Sequence, residues 1–178
     1  MGALYDLIDE CGKNNPVGVA TMVHYVCQDD IDVFPPFITP VGAGDTLKLD
    51  GDIVLKAMKA WTRIKIVANS GEVKDTLVGA EGSKSIESTF DFMKSTTDPA
   101  VMEFFNNIKN GCGVCVVKEL SGHYRVLGNL DTPCTLESME AGTGKKSGDS
   151  RGATAQLKTT VGIPAPYYTG TFDIDPLT

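Results

Sequence analysis

Cys112 and Cys115 stand three apart, the C-x-x-C spacing of thiol-disulfide enzymes. There the pair opens a helix, whose dipole lowers one thiol pKa. In this chain the pair follows a helical pattern and begins an apolar run that reads as a strand. Strand residues three apart point to opposite faces, so the two sulfurs would not meet. No second C-x-x-C completes a zinc site, and buried small apolar residues are the expected role of both cysteines. Gly142-Thr143-Gly144-Lys145-Lys146-Ser147 has the look of a phosphate loop. A phosphate loop needs Gly at position 139 and Ser or Thr at 146, where the chain has Met139 and Lys146. The residues after it also alternate as a strand, where such a loop needs a helix. His24 and His123 are the only histidines and show no metal-ligand spacing. Asp29-Asp30-Ile31-Asp32 gathers carboxylates but lacks a calcium-loop pattern, and a solvated acidic turn is expected there. Trp61, Arg63 and Lys65 alternate along one strand, a pattern that can stack and neutralise single-stranded nucleic acid. Three residues in an acidic chain support that weakly, so an exposed or subunit-facing strand surface is expected instead. No catalytic residue, cofactor site or metal site emerges, and a non-enzymatic role is the expectation.

The chain has 178 residues, 42% of them apolar, and a net charge of −7. That is enough for one packed domain over residues 1–178. An acidic balance argues against a protein that grips phosphate backbones. The charge is uneven: residues 1–52 carry nine acids and two bases, and the rest balance. Such asymmetry marks either a solvated loop or an interaction surface. No apolar run is long enough for a membrane helix. The start, Met1-Gly2-Ala3-Leu4-Tyr5-Asp6, lacks the basic and apolar regions of a secretory signal, so reduced thiols are expected at the five cysteines.

The elements that must position any site are mostly strands. Val17–Tyr25, Trp61–Ala68, Val73–Ala80, Lys84–Phe92, Cys112–Lys118, His123–Leu130, Thr135–Met139 and Ala153–Val161 carry strand signals. Ile86, Ser88, Phe90 and Phe92 should face one way, with Ser85, Glu87, Thr89 and Asp91 facing the other. Ala155, Leu157, Thr159 and Val161 likewise oppose Thr154, Gln156, Lys158 and Thr160. Cys112–Lys118 is nearly all apolar, as a central strand buried on both faces would be. Residues 98–110 form the one predicted helix. Asp98 is placed to cap it, Pro99 suits its first turn, and Val101, Phe104, Phe105 and Ile108 make an apolar stripe. Lys109 suits its negative end, and Gly111 is expected in a left-handed conformation beyond it. Residues 4–11 are short and mixed, a helical turn or an arm. Segments 28–52 and 141–152 read as long irregular stretches, and the chain from Tyr167 onward as a short strand or an arm. The expected fold is mainly β, an antiparallel sandwich or barrel with one flanking helix.

Over Gly111–Gly170 the order of features resembles the major tail tube proteins of phages. The apolar strand Cys112–Lys118 precedes Ser121-Gly122-His123-Tyr124-Arg125-Val126-Leu127-Gly128. Gly148-Asp149-Ser150-Arg151-Gly152 then steps into an amphipathic strand closed by Pro164-Ala165-Pro166-Tyr167-Tyr168. The start is similar too, with Cys11, the turn Asn14-Asn15-Pro16-Val17-Gly18, a strand, then Asp30-Ile31 and a proline. The resemblance implies a β-sandwich that pairs sheet edges into a hexameric ring. It implies rings stacked into a tube within a virion tail, assembled in the host bacterial cytoplasm beside other tail proteins. DNA would be passing cargo, with no membrane involved. An acidic lumen suits that role, because a basic wall would bind every phosphate that passed. Asp29, Asp30, Asp32 and Asp45 on one irregular stretch, and Lys145, Lys146 and Arg151 on the other, are candidates for contacts between subunits. Alternatives from the same features are a tail terminator or head-tail connector. A monomeric ligand-binding sandwich, with Trp61, Tyr167 and Tyr168 as its platform, is a third.

Overall fold

The computed structural model describes residues 16–144 and 151–172. The expected arm at 4–11, Cys11, Lys145, Lys146 and the tail beyond Phe172 lie outside them. The fold is mainly β and antiparallel, as expected. Strands β1 (Val19–Cys27), β4 (Thr62–Lys65), β7 (Gly113–Glu119), β8 (Tyr124–Leu127) and β11 (Tyr167–Tyr168) form a five-stranded sheet in the order β11-β8-β7-β1-β4. Strands β5 (Glu72–Val78), β6 (Ser85–Lys94), β9 (Thr135–Gly142) and β10 (Gly152–Val161) form a four-stranded sheet in the order β5-β6-β10-β9.

The two sheets face one another across a core that contains Val23, Tyr25, Phe90, Phe92, Cys115, Val117, Leu127, Ala155 and Leu157. The period of two places them: Phe90, Phe92, Ala155 and Leu157 are the inward members of β6 and β10. Helix α1 (Pro99–Ile108) closes part of this core, with Phe105 and Ile108 buried and Val101 and Phe104 packed beside them. Phe104 meets Tyr25 edge-on at 5.8 Å between centroids. Pro99 starts the helix as expected, but Asp98 makes no side-chain cap. Its carboxylate instead faces the Arg151 guanidinium at 3.4 Å. Gly111 is also not left-handed; the chain leaves the helix through Lys109 in an ordinary helical conformation.

The segment 28–52 is largely irregular in backbone, yet it packs on the body of the fold. It contains the short strand β2 (Ile31–Val33), which pairs with β3 (Val54–Leu55), and a Phe37–Leu49 bridge. Ile31, Leu49 and Ile53 are buried against Val26, Trp61, Val114, Val116, Val126 and Tyr168 on the outer face of the five-stranded sheet. This acidic segment is therefore a third layer over a second core. β7 is central and buried on both faces for that reason. The stretch 141–152 is also shorter than expected, since β9 runs through Gly142 and β10 begins at Gly152.

Candidate assembly surface

The four-stranded sheet turns a polar face outward. Register places Glu72, Lys74 and Thr76 of β5 on it, beside Glu87, Thr89 and Asp91 of β6. Thr154, Gln156, Lys158 and Thr160 of β10 and Ser138 and Glu140 of β9 continue it. Lys158 lies 2.9 Å from Glu87 and 3.7 Å from Glu137, and Gln156 donates to Asp91 at 2.8 Å. Glu87, foremost, and Glu137 raise the Lys158 pKa. Five carboxylates share this face with two lysines, Lys74 and Lys158, so it is net acidic.

The edges of the two sheets differ. In the five-stranded sheet, β11 is covered: Leu49 N–H donates to the Tyr167 carbonyl at 2.9 Å, and Lys48 bridges Tyr167. The opposite edge, β4, is short and is flanked by α1 across a cleft lined by Thr62, Arg63, Val101 and Phe104. In the four-stranded sheet, β5 and β9 are longer and mostly exposed, and among the described residues each has a strand partner on one side only. Long uncovered edges template pairing with another strand. The sequence marked both strands but not their edge positions, because edge status follows from topology rather than residue pattern.

A polar clasp fixes β5 to the opposite sheet. Arg125 of β8 pairs with Asp75 of β5 and, at 3.4 Å, with Glu119 of β7. Its Nε donates to the Ala165 carbonyl at 2.8 Å, and its guanidinium lies 4.9 Å from the Tyr167 ring centroid. Asp75 also accepts from the Ser88 hydroxyl and, at 3.3 Å, from Ala165 N–H. A charge pointing inward from an edge strand is thereby satisfied.

Three of the charged residues expected to reach a neighbouring subunit have partners within their own subunit. Asp30 pairs with Lys59 at 2.9 Å. Asp45 accepts from Lys48 at 2.8 Å and from the Gly42 and Val41 amides, which together hold its carboxyl below the ordinary range. Arg151 Nε donates to Thr97 at 2.8 Å. Asp29 and Asp32 are exposed on the outer layer, where the Asp29 backbone carbonyl accepts from Lys56 Nζ at 2.6 Å. Asp30, Asp45 and Arg151 thus also serve the subunit's own loops, and Lys145 and Lys146 lie outside the described residues.

The other candidates divide similarly. Cys115 is buried and burial pushes its thiol pKa up, whereas Cys112 is exposed, against expectation. Among the described residues no group of three or more His, Cys, Asp or Glu can hold a metal ion. Trp61 precedes β4 rather than lying in it, and it is buried in the second core, whereas Arg63 and Lys65 are exposed on the strand. With Tyr168 buried beside it, Trp61, Tyr167 and Tyr168 form no open platform for a ligand. Phe172 covers this pocket, stacked on His24 at 4.1 Å and edge-on to Trp61 at 5.5 Å. No helix among the described residues is long and apolar enough to cross a membrane. Comparison with protein-family models, with curated proteins and with solved structures finds no match to this chain.

Proposed function

We propose that this chain is a structural subunit that assembles edge to edge into rings, which stack as a phage-type tail tube. The observation that carries the reading is the four-stranded sheet, with a polar, net-acidic outer face and two long edges that the described residues leave uncovered. Pairing β9 of one copy with β5 of the next removes both edges at once. The sheet has an even number of alternating strands. Each such seam is therefore antiparallel, like every pairing inside the sheet.

Six copies, the number that the tail-tube resemblance implies, close a barrel of about 24 strands. With roughly 4.8 Å between strands and about 40° of tilt, the barrel is about 48 Å across between backbones. Its wall would present the acidic face to the bore. A wall that repels phosphates lets a nucleic acid pass without the counterion-release attraction of a basic surface. The clasp of Arg125 on Asp75 fits this use, since it keeps β5 anchored while its outer side stays open for pairing.

Sedimentation velocity over a concentration series tests the reading. The expected result is a discrete ring-sized species and larger stacks of it. A 19.0 kDa monomer at every concentration, with and without other tail components, would overturn it.

A further inference from the structure

The two open edges are complementary in one particular register. Leu77 sits on the core-facing side of β5, opposite Ile86, yet it is 59% exposed, with no strand beyond it among the described residues. On β9 the core-facing residues are Leu136, Met139 and Ala141. Leu136 and Met139 are half-buried against the main core. Each edge therefore leaves apolar side chains partly uncovered on the side that must stay dry.

β9 also carries an irregularity between the pairs Gln156–Ser138 and Leu157–Leu136. Such a bulge interrupts the alternation of faces and bends the strand. Regular pairing on the free side of β9 is thus confined to Ser138 and beyond. Within that stretch, facing Leu77 toward an apolar partner leaves two choices, Met139 or Ala141. The Met139 choice aligns Val73–Val78 with Ser138–Thr143 and uses nearly all of β5. The Ala141 choice shortens the overlap and sets Val78 against Glu140. The Met139 choice also puts Lys74 diagonal to Glu140 on the polar face, within reach of a cross-strand ion pair.

We infer that the partner of the β5 edge is β9 of a second copy, in the register that sets Leu77 against Met139 and Val78 against Ser138. This rests on the assembly reading above. Lys74 and Glu140 then act as the charge pair that selects the register, and Leu77 with Met139 extends the dry core across the seam.

Cysteine cross-linking tests it. Within one subunit β5 and β9 are three strand spacings apart, about 14 Å, too far for a disulfide. Any 77–139 link is therefore between copies. In a background with Cys11, Cys27 and Cys112 changed to serine, L77C/M139C and V78C/S138C are prepared, with L77C/A141C and L77C/L136C reporting other registers. The expected result is a covalent ladder of oligomers from the first two variants and none from the others. The pairs lie on opposite faces of the sheet, so either one suffices if the other does not fold. K74E is expected to raise the threshold concentration for assembly roughly fivefold, and K74E/E140K to restore it. Rings that cross-link only through 141 or 136, or through neither edge, overturn the register and leave the assembly reading standing. A protein that stays monomeric in every variant and in the wild type overturns both.

Discussion

Replacing Arg125 with Met probes the joint that holds the β5 edge to the rest of the sandwich. The guanidinium binds Asp75, Glu119 and the Ala165 carbonyl, and lies against Tyr167. Met keeps much of the apolar stem, so the loss is chiefly the charge and its hydrogen bonds. Removing one partner of a buried pair costs about 3–5 kcal/mol, because the other charge stays buried and unpaired. Here the Arg125, Asp75 and Glu119 side chains are 12%, 22% and 25% exposed. Water therefore reaches the carboxylates, and a loss of about 2–3 kcal/mol is expected. For a chain of this size that lowers Tm by roughly 5–10 °C. Urea and thermal unfolding of R125M measure it. Adding D75N removes the stranded charge while keeping an acceptor for Ser88, and should recover about 1 kcal/mol. An R125M protein within about 0.5 kcal/mol of wild type would refute the reasoning, as would a D75N effect that simply adds.

Three further outcomes follow from the packing. A Cβ on Gly113 would lie 2.4 Å from the Tyr25 ring and 2.6 Å from the Val26 carbonyl. G113A should therefore cost about 2–3 kcal/mol or more in urea unfolding, and a neutral result would show that the β1–β7 contact is looser than described. Phe172→Ala should uncover Trp61, the only tryptophan, giving a red-shifted emission and a loss of about 2–3 kcal/mol; unchanged emission would show that Phe172 does not seal the pocket. His24 is buried with Nδ1 unpaired, and its burial, then nearby Arg63, hold its pKa below the ordinary value. Below about pH 6.5 the unfolded chain gains a proton that the folded one resists, so stability falls as pH drops through that value and is level above it. The stability of wild type relative to H24F should accordingly be lower at pH 5.5 than at pH 8, and an equal difference at both would contradict it.

The period-two pattern of β6 and β10 was legible because each strand has one wet face and one dry face. The stripe of α1 was legible for the same reason at a period near 3.6. The cover over the second core was not. Ile31, Leu49 and Ile53 are scattered among prolines, glycines and carboxylates with no regular spacing, so nothing local marks them as buried. A signal was nonetheless present in β7. Its unbroken apolar run demanded cover on both faces, one helix can cover only part of one, and the acidic segment was the remaining length of chain able to supply the rest. The partners of Asp30, Asp45 and Arg151 were out of reach for a related reason: a charge on a turn-rich stretch reads the same whether its partner is in the next loop or in the next subunit. The β5 and β9 edges lay outside the reach of pattern, because neighbouring strands define an edge.

The most direct test of the central claim is negative-stain imaging of purified protein across a concentration series. Rings and stacked tubes with an open central bore, their walls one subunit thick, are the expected result. Isolated single subunits in every field, with the mass in solution unchanged by concentration, would contradict it.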